Sequence, residues 1–282
     1  MRRLPRLSPG NLRIWRGLAY PVKACGGTPL HEADVTPAGL RHDRSFMVVA
    51  PDGNFRSQRR FPIMAAIRPV VLDDGRRLAL SAPGVEDFVV DVVVDGPRNE
   101  VATTGWQGKG VDQGAEAHDW FSTVLGERSE LVGVPPDHHR VTSGKTPGTA
   151  GFADGHAVLV LSESSLDNLN ERIASRGGEP VPMDRFRPNI VLSGWVEPHT
   201  EDNVRAMTVG DVDLGYAKPC VRCTVTLVDQ ETGQKDGPEP IRTLAAYRRD
   251  CDGGVAFGMK VAVTRPGQLA VGDEVIVHSW LA

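Results

Sequence analysis

Two of the chain's four cysteines, Cys220 and Cys223, stand three apart in the stretch KPCVRCTVTLVDQ, with Arg222 between them. Such a pair has three chemical uses. A structural zinc takes four ligands, commonly two such pairs or one pair with histidines. Here Cys25 and Cys251 stand alone, and only His138, His139 and His156 offer to complete a set. A thiol–disulfide couple is favoured at a helix N-terminus, where the dipole lowers the thiol pKa. The residues after this motif, TVTLVD, are β-branched and alternate as a strand does. A single thiolate can instead bind a soft transition metal while the other cysteine packs. The plainest reading is two core thiols, since cysteine is among the most buried residue types. Arg222 adds a guanidinium that favours a thiolate beside it and presents a planar fork to a phosphate or other anion.

The elements that must position these groups are mostly strands. The 282 residues are enough for two medium domains or one large one, and 40% hydrophobic content supplies a sizeable core. The 31 Gly and 21 Pro favour turns and short strands. In the first third, LRIWRGLAYPVK ends at the turn CGGTP, RSFMVVA and FRSQRR flank the turn PDGN, and AIRPVVL and RRLALSA flank DDG. DFVVDVVVDG alternates and then breaks. In DQGAEAHDWFSTVLGE, the spacing of Ala117, Trp120, Phe121, Val124 and Leu125 predicts a helix. Residues 137–154 are polar and glycine-rich, and read as a long loop. AVLVL leads into a second helix, SESSLDNLNERIA, with the stripe Leu166, Leu169, Ile173 and a cap at Ser162 or Ser164. RPNIVLSG, MTVGDVDLGY and CTVTLVD read as strands, PEPIRTLAAYRR as a short helix with proline in its first turn, and AFGMKVAV and DEVIVHS as closing strands. The expected architecture is β-rich with three short helices, with a boundary between Asp95 and Asp112 that gives units 11–105 and 106–282.

Net charge −4 argues against a general nucleic-acid binder. Four cysteines make no disulfide framework, which points to a reducing compartment. No apolar run reaches the ~18 residues of a membrane span. The basic start MRRLPRLSPGNLRIWRG lacks a signal peptide's apolar stretch. A cytoplasmic monomer without nucleic-acid or membrane partners is expected. There is no G-x-S-x-G nucleophile elbow, no G-x-G-x-x-G opening a helix and no P-loop.

RFRPNIVLSG, then KPCVRCTVTLVDQETG, then LAAYRR followed by FG, resembles the MOSC domain family. YPVKACGG with TPAGLRHDRSFMVVAPDGNFRSQRRFP resembles the N-terminal β-barrel domain that precedes MOSC domains. The likeness runs from about Leu12 to Val277. Within the family the chain is similar to the mitochondrial amidoxime reducing component and to bacterial reductases of N-hydroxylated bases. The resemblance implies a MOSC β-barrel packed against an N-terminal β-barrel. It implies a molybdenum cofactor, a pyranopterin dithiolene with a phosphate tail. It makes Cys223 the metal ligand and a catalytic residue, and places Asp154 near the metal to position a proton or water. Lys23, Ala24, Arg44, His156, Arg187, Asn189 and Arg222 fall on cofactor-binding positions. Read alone, each has a plainer role: Lys23 as a solvated strand end, Arg44 as half of a surface pair with Asp43, Arg187 as loop surface, Asn189 as a turn residue, His156 as a loop-edge histidine. Four cations meeting in one pocket would call for an anion there.

Some positions depart from the relatives. Ala24 stands where serine is common, Val221 where a polar residue is common, and Lys260 where some carry an aromatic. The implied activity is two-electron reduction of a small N-hydroxylated or N-oxide substrate. Electrons would come from a separate ferredoxin or flavoprotein, since the sequence ends soon after VGDEVIVHSW without a further cysteine set for an iron–sulfur cluster. Pyridoxal phosphate is not implied. The alternative within the family is a carrier of molybdenum cofactor or sulfur that uses Cys223 without turnover. Arg59 and Arg60 either line an entrance or lie on solvated surface, and Cys25 and Cys251 read as structural thiols.

Overall fold

The computed structural model describes residues 12–249 and 253–281, and Cys251 lies outside them. An eight-stranded sheet forms the centre, in the order Thr28–Leu30, Arg13–Ala19, Ile190–Ser193, Val158–Ser162, Val255–Arg265, Val212–Arg222, Val204–Val209, Val275–Trp280. All neighbours pair antiparallel except Val158–Ser162 with Ile190–Ser193. A parallel pair needs a crossover, and helix α2 (Glu163–Ala174) lies in that connection. Ser162 caps α2 by accepting a hydrogen bond from the Ser165 N–H. The inward side chains include Ile14, Val160, Ile190, Leu214, Met259 and Val261, all buried in one core. Each such burial contributes roughly 1.5–3 kcal/mol. Two strands of this sheet come from the first 30 residues, so the chain that continues into Lys23 is anchored on the same sheet that carries Cys223.

The N-terminal part adds a four-stranded sheet, ordered Phe46–Val49, Glu130–Gly133, Trp106–Asp112, Arg98–Thr103, and a three-stranded sheet Arg68–Leu72, Arg77–Ala82, Val85–Asp91. Helix α1 (Ala115–Leu125) buries Ala117, Trp120, Phe121 and Leu125, the face the sequence spacing singles out. They pack with Val48, Met64, Leu78, Leu80 and Leu131 in one core. Gly126 ends α1 with φ +68°, a left-handed conformation that a glycine adopts without a Cβ penalty. The division expected between residues 105 and 106 falls on the tip of the hairpin Arg98–Thr103/Trp106–Asp112. Among the described residues no helix is long and apolar enough to cross a membrane.

Four local expectations change. FRSQRR does not continue as a strand: Phe55 makes one bridge to Val49, and the chain then turns at Ser57, whose carbonyl accepts from the N–H groups of Arg60 and Phe61. The turn is fixed by side chains, with Arg56 tied to Glu127 and the Arg128 carbonyl, and Gln58 to the Ala24 carbonyl. CTVTLVD is not a strand either. The strand precedes the motif, ending at Arg222, and Thr224–Leu227 is a turn of 3-10 helix. Thr226 holds it by donating both its N–H and its hydroxyl to the Cys223 carbonyl. The segment 137–154 contains a two-residue ladder, Val141–Thr142 against Gly148–Thr149. The proline of helix α3 (Ile241–Tyr247), Pro240, stands just before the first helical residue.

Candidate functional site

All nine expected site residues line one cavity of about 410 Å³. Five chain segments meet there. The strand Arg13–Ala19 delivers Lys23 and Ala24, and the turn before Phe46–Val49 delivers Arg44. The segment before Val158–Ser162 brings Asp154 and His156, the 3-10 turn Met183–Phe186 leads to Arg187 and Asn189, and the strand Val212–Arg222 ends at Arg222 and Cys223. Ala24, Arg44 and Arg187 have φ of 69°, 48° and 55°. Left-handed backbone costs a non-glycine residue on the order of 1 kcal/mol or more and persists where its surroundings fix it. Here the Arg44 N–H donates to the Tyr20 carbonyl at 2.7 Å and the Arg187 N–H to the Asp184 carbonyl at 3.0 Å.

The cations on this wall are built in. Lys23 is buried; its ammonium donates to the Phe152 carbonyl at 2.8 Å and to the Asp154 carboxylate. Burial lowers the Lys23 pKa, and Asp154 opposes that shift. Arg44 is no surface residue: it donates to Asp43 at 2.6 Å, with side-chain exposures of 13% and 2%. It also donates to Asn189 Oδ1 at 3.0 Å and to the Arg187 carbonyl at 3.3 Å. Arg44 and Arg187 stack on the Tyr20 ring at 4.3 and 4.2 Å from its centroid. Burial, with Arg44 nearby, pulls Arg187 down to about 10, so it remains a cation at neutral pH. Its guanidinium donates to Gln230 Oε1 at 3.0 Å.

Arg222 lines the cavity and sits against the first cysteine of the pair. It donates to Cys220 Sγ at 2.7 Å and to the Phe186 carbonyl, and no hydrogen bond links it to Cys223. Alternate residues share a strand face, which puts Arg222 beside residue 220. Cys220 is buried, and Cys223 is exposed. Among the described residues no three His, Cys, Asp or Glu side chains gather as a metal set. The zinc reading therefore has no donors among them to complete Cys220 and Cys223.

Asp154 is open to the cavity, with 71% side-chain exposure. Partial desolvation pushes its pKa up, but the charge and hydrogen bond of Lys23, with Lys260 and Arg44, outweigh this and hold it at about 2. His156 is buried, and neither ring nitrogen has a well-formed hydrogen bond. Burial and the charges of Lys218 and Lys260 push it down to about 4, so it is neutral at pH 7. Asn189 is a buried link, accepting from Arg44 and the Leu159 N–H and donating to the Leu18 carbonyl. Arg59 lines the cavity, whereas Arg60 pairs with Glu127 on the surface.

Tyr20 and the pair Gln58–Gln230 were not singled out by sequence reasoning. The two amides exchange hydrogen bonds of 3.2 and 3.1 Å, joining the N-terminal part to the turn after Cys223. Arg140 was missed as well; it donates to the Gly151 and Ala153 carbonyls and braces the loop that carries Asp154. Tyr20 does lie in the same YPVK stretch as Lys23, which was its one available signal.

Comparison with known proteins identifies the two domains. The model of the MOSC N-terminal beta barrel domain matches residues 12–128, and that of the MOSC domain matches residues 147–276. Mitochondrial amidoxime-reducing component 1 of Mus musculus is 34% identical over 278 residues, covering 91% of this chain and 79% of that protein. The Homo sapiens protein of the same name is 31% identical over 277 residues, covering 91% and 80%. The molybdenum cofactor sulfurase of Oryza sativa subsp. japonica is 28% identical over 291 residues, covering 94% of this chain and 34% of that protein. With both domains matched in order, and relatives above 30% identity aligned along most of their length, this chain belongs to the MOSC domain family and carries a MOSC N-terminal β-barrel domain ahead of its MOSC domain.

Proposed function

We propose that the protein is a molybdenum-cofactor-dependent reductase of small N-oxygenated compounds, with Cys223 as the protein's ligand to the metal. One observation carries this reading: the cavity has positive charge left over beside an accessible thiol. Asp154 in the lining is matched by Lys23, and the buried Asp43 behind it by Arg44, while Arg187 and Arg222 pair with no carboxylate among the described residues. Arg222 Nε and both His156 ring nitrogens are buried without a well-formed hydrogen bond. Excess positive charge, an unpartnered guanidinium N–H on Arg222 and one open soft donor suit an anionic cofactor that carries a soft metal.

When bound, the molybdenum cofactor supplies the two-electron chemistry that takes oxygen from an N-hydroxyl or N-oxide group. Arg187, Arg222, Arg44 and Asn189 hold the cofactor's anionic and polar parts, with Ala24 offering backbone rather than a side-chain hydroxyl. Lys23 fixes Asp154, whose carboxylate stays ionised at neutral pH and orients a proton-bearing group or water beside the substrate. His156, neutral and buried, contributes a ring nitrogen to the same wall. Electrons arrive from a separate donor protein, a ferredoxin or flavoprotein. The names of the relatives support the substrate class.

The exposure of Cys223 also favours a second reading, a carrier that holds cofactor or sulfur on this thiol without turnover. The two separate on one preparation. Protein from a molybdenum-sufficient host is expected to contain about one molybdenum per chain, to release a fluorescent pterin on oxidation, and to reduce benzamidoxime with a chemical reductant. Cys223→Ser is expected to lose that reduction. Full cofactor load with no turnover on a broad N-oxygenated panel selects the carrier, and zinc in place of molybdenum defeats both.

A further inference from the structure

Lys218 and Lys260 are direct partners on the antiparallel strands Val212–Arg222 and Val255–Arg265. Like charges placed opposite each other on a sheet destabilise it. These two are also half-buried, and neither forms an ion pair with an acidic side chain among the described residues. Lys260 donates to the Asp154 backbone carbonyl at 2.8 Å and lines the cavity, while Lys218 stands beside the lining, its ammonium without a hydrogen bond among the described residues. Both ammonium groups converge on one point. A Cβ built on Gly155 would lie 3.7 Å from Lys260 Nζ and 4.0 Å from Lys218 Nζ. Gly155 itself has φ +91°, so it leaves this corner without a side chain. The carboxylate of Asp154, whose backbone carbonyl Lys260 bonds, is already engaged by Lys23. At the cavity's edge, where Lys260 and Gly155 line it and the Lys218 ammonium reaches Gly155 from beside the lining, there is therefore a second cationic corner, separate from the Arg44–Arg187 wall, with no ion pair to an acid among the described residues.

We infer that Lys218 and Lys260 form an anion clamp for the substrate, so that the protein selects N-oxygenated compounds bearing a carboxylate or phosphate. This rests on the reductase reading above and names its substrate class. Two ammonium groups offer several donors to an anionic oxygen group, and a bound anion relieves their mutual repulsion.

The test compares 4-carboxybenzamidoxime with its neutral isostere, 4-carbamoylbenzamidoxime, on the holoprotein. Binding is read by calorimetry and turnover with a chemical reductant. The carboxylate is expected to bind about tenfold more tightly, a preference typical of a partly screened charge pair. In turnover the preference should appear in KM rather than kcat. Lys218→Met is the cleaner variant, because Lys218 does not touch Asp154. Both it and Lys260→Met are expected to bring the binding ratio to within about twofold, and Lys218→Arg to keep it. Equal binding of the two probes by the unaltered protein overturns the inference. So does a fall in molybdenum content of the lysine variants with the ratio unchanged, which would assign the pair to the cofactor. So does slower turnover confined to assays with an acidic donor protein, which would assign it to docking. Loss of turnover on both probes in every form defeats the reductase reading, while the calorimetric ratio still decides the clamp.

Discussion

The two sides of the cavity are built on opposite plans. On the wall formed by Lys23, Arg44 and Arg187, the protein meets two of the three charges itself, Lys23 with Asp154 and Arg44 with Asp43, and seats Arg187 beside Arg44 over the Tyr20 ring with Gln230 as its partner. Left-handed backbone at Arg44 and Arg187 is fixed by N–H bonds to neighbouring carbonyls, and at Ala24 the carbonyl accepts from Gln58. On the lip, carried by the strands Val212–Arg222 and Val255–Arg265, groups are left open. Cys223 is exposed, Val221 is 48% exposed, and Lys218 and Lys260 face each other without an acid. Pre-matched charge holds a shape, and unmatched groups recruit something from outside. Changes on the wall should therefore act on stability and cofactor retention, and changes on the lip on turnover and selection.

The largest expected effect is on the lip. Cys223→Ser should lower turnover by more than the roughly 10–100-fold typical of losing a residue that only supports a metal ligand. Its thermal midpoint should stay near that of the parent protein, because the side chain is exposed. A large loss of stability with turnover intact would break the comparison.

On the wall, Asp43→Asn leaves the Arg44 guanidinium without its counter-charge. That should cost about 3 kcal/mol in denaturant unfolding. An unchanged midpoint would show that the wall is not pre-matched. Tyr20→Phe sharpens the same point from the other direction. The Tyr20 hydroxyl is buried without a hydrogen-bond partner, so the stacked ring, rather than the oxygen, serves the two arginines. The substitution should change stability by less than about 1 kcal/mol, whereas Tyr20→Leu, which removes the ring, should cost about 1–2 kcal/mol in lost cation–π contact before any cavity cost.

The smallest effect is in the acid response. His156 has its pKa lowered by burial from the ordinary 6.5 to about 4. The unfolded chain therefore takes up that proton first as pH falls. The stability tied to His156 is complete above pH 6.5 and is lost between 6.5 and about 4. His156→Gln should flatten the stability curve in that window. The flattening should be partial, since His199 is also held at about 4, by burial and by Arg248 and Arg172. Asp154 acts lower, its contribution being lost as pH falls from the ordinary 3.8 towards 2. An unaltered curve in His156→Gln would remove this histidine from the buried wall.

What was legible in the sequence follows from how local each signal is. The stripe of α1 and the Ser162 cap of α2 depend on neighbours within two turns, and both stand where the spacing puts them. The TVTLVD run misled because β-branched residues read as strand, while the Thr226 hydroxyl and N–H bond the Cys223 carbonyl and close a 3-10 turn. The partner of Arg222 was knowable in principle, since strand alternation aims it at Cys220. Gln230 was not, because its role exists only once the fold brings it against Gln58 and Arg187, far away in sequence. The convergence of Lys23, Arg44, Arg187 and Arg222 on one cavity is likewise a tertiary fact, which the resemblance to a family implied and composition did not.

The most direct test of the central claim is X-ray absorption at the molybdenum edge on the purified holoprotein and its two cysteine variants. The sulfur neighbours of molybdenum should fall by one in Cys223→Ser and stay constant in Cys220→Ser, whose thiol belongs to Arg222. An unchanged sulfur count in Cys223→Ser, or no molybdenum in the unaltered protein, would contradict it.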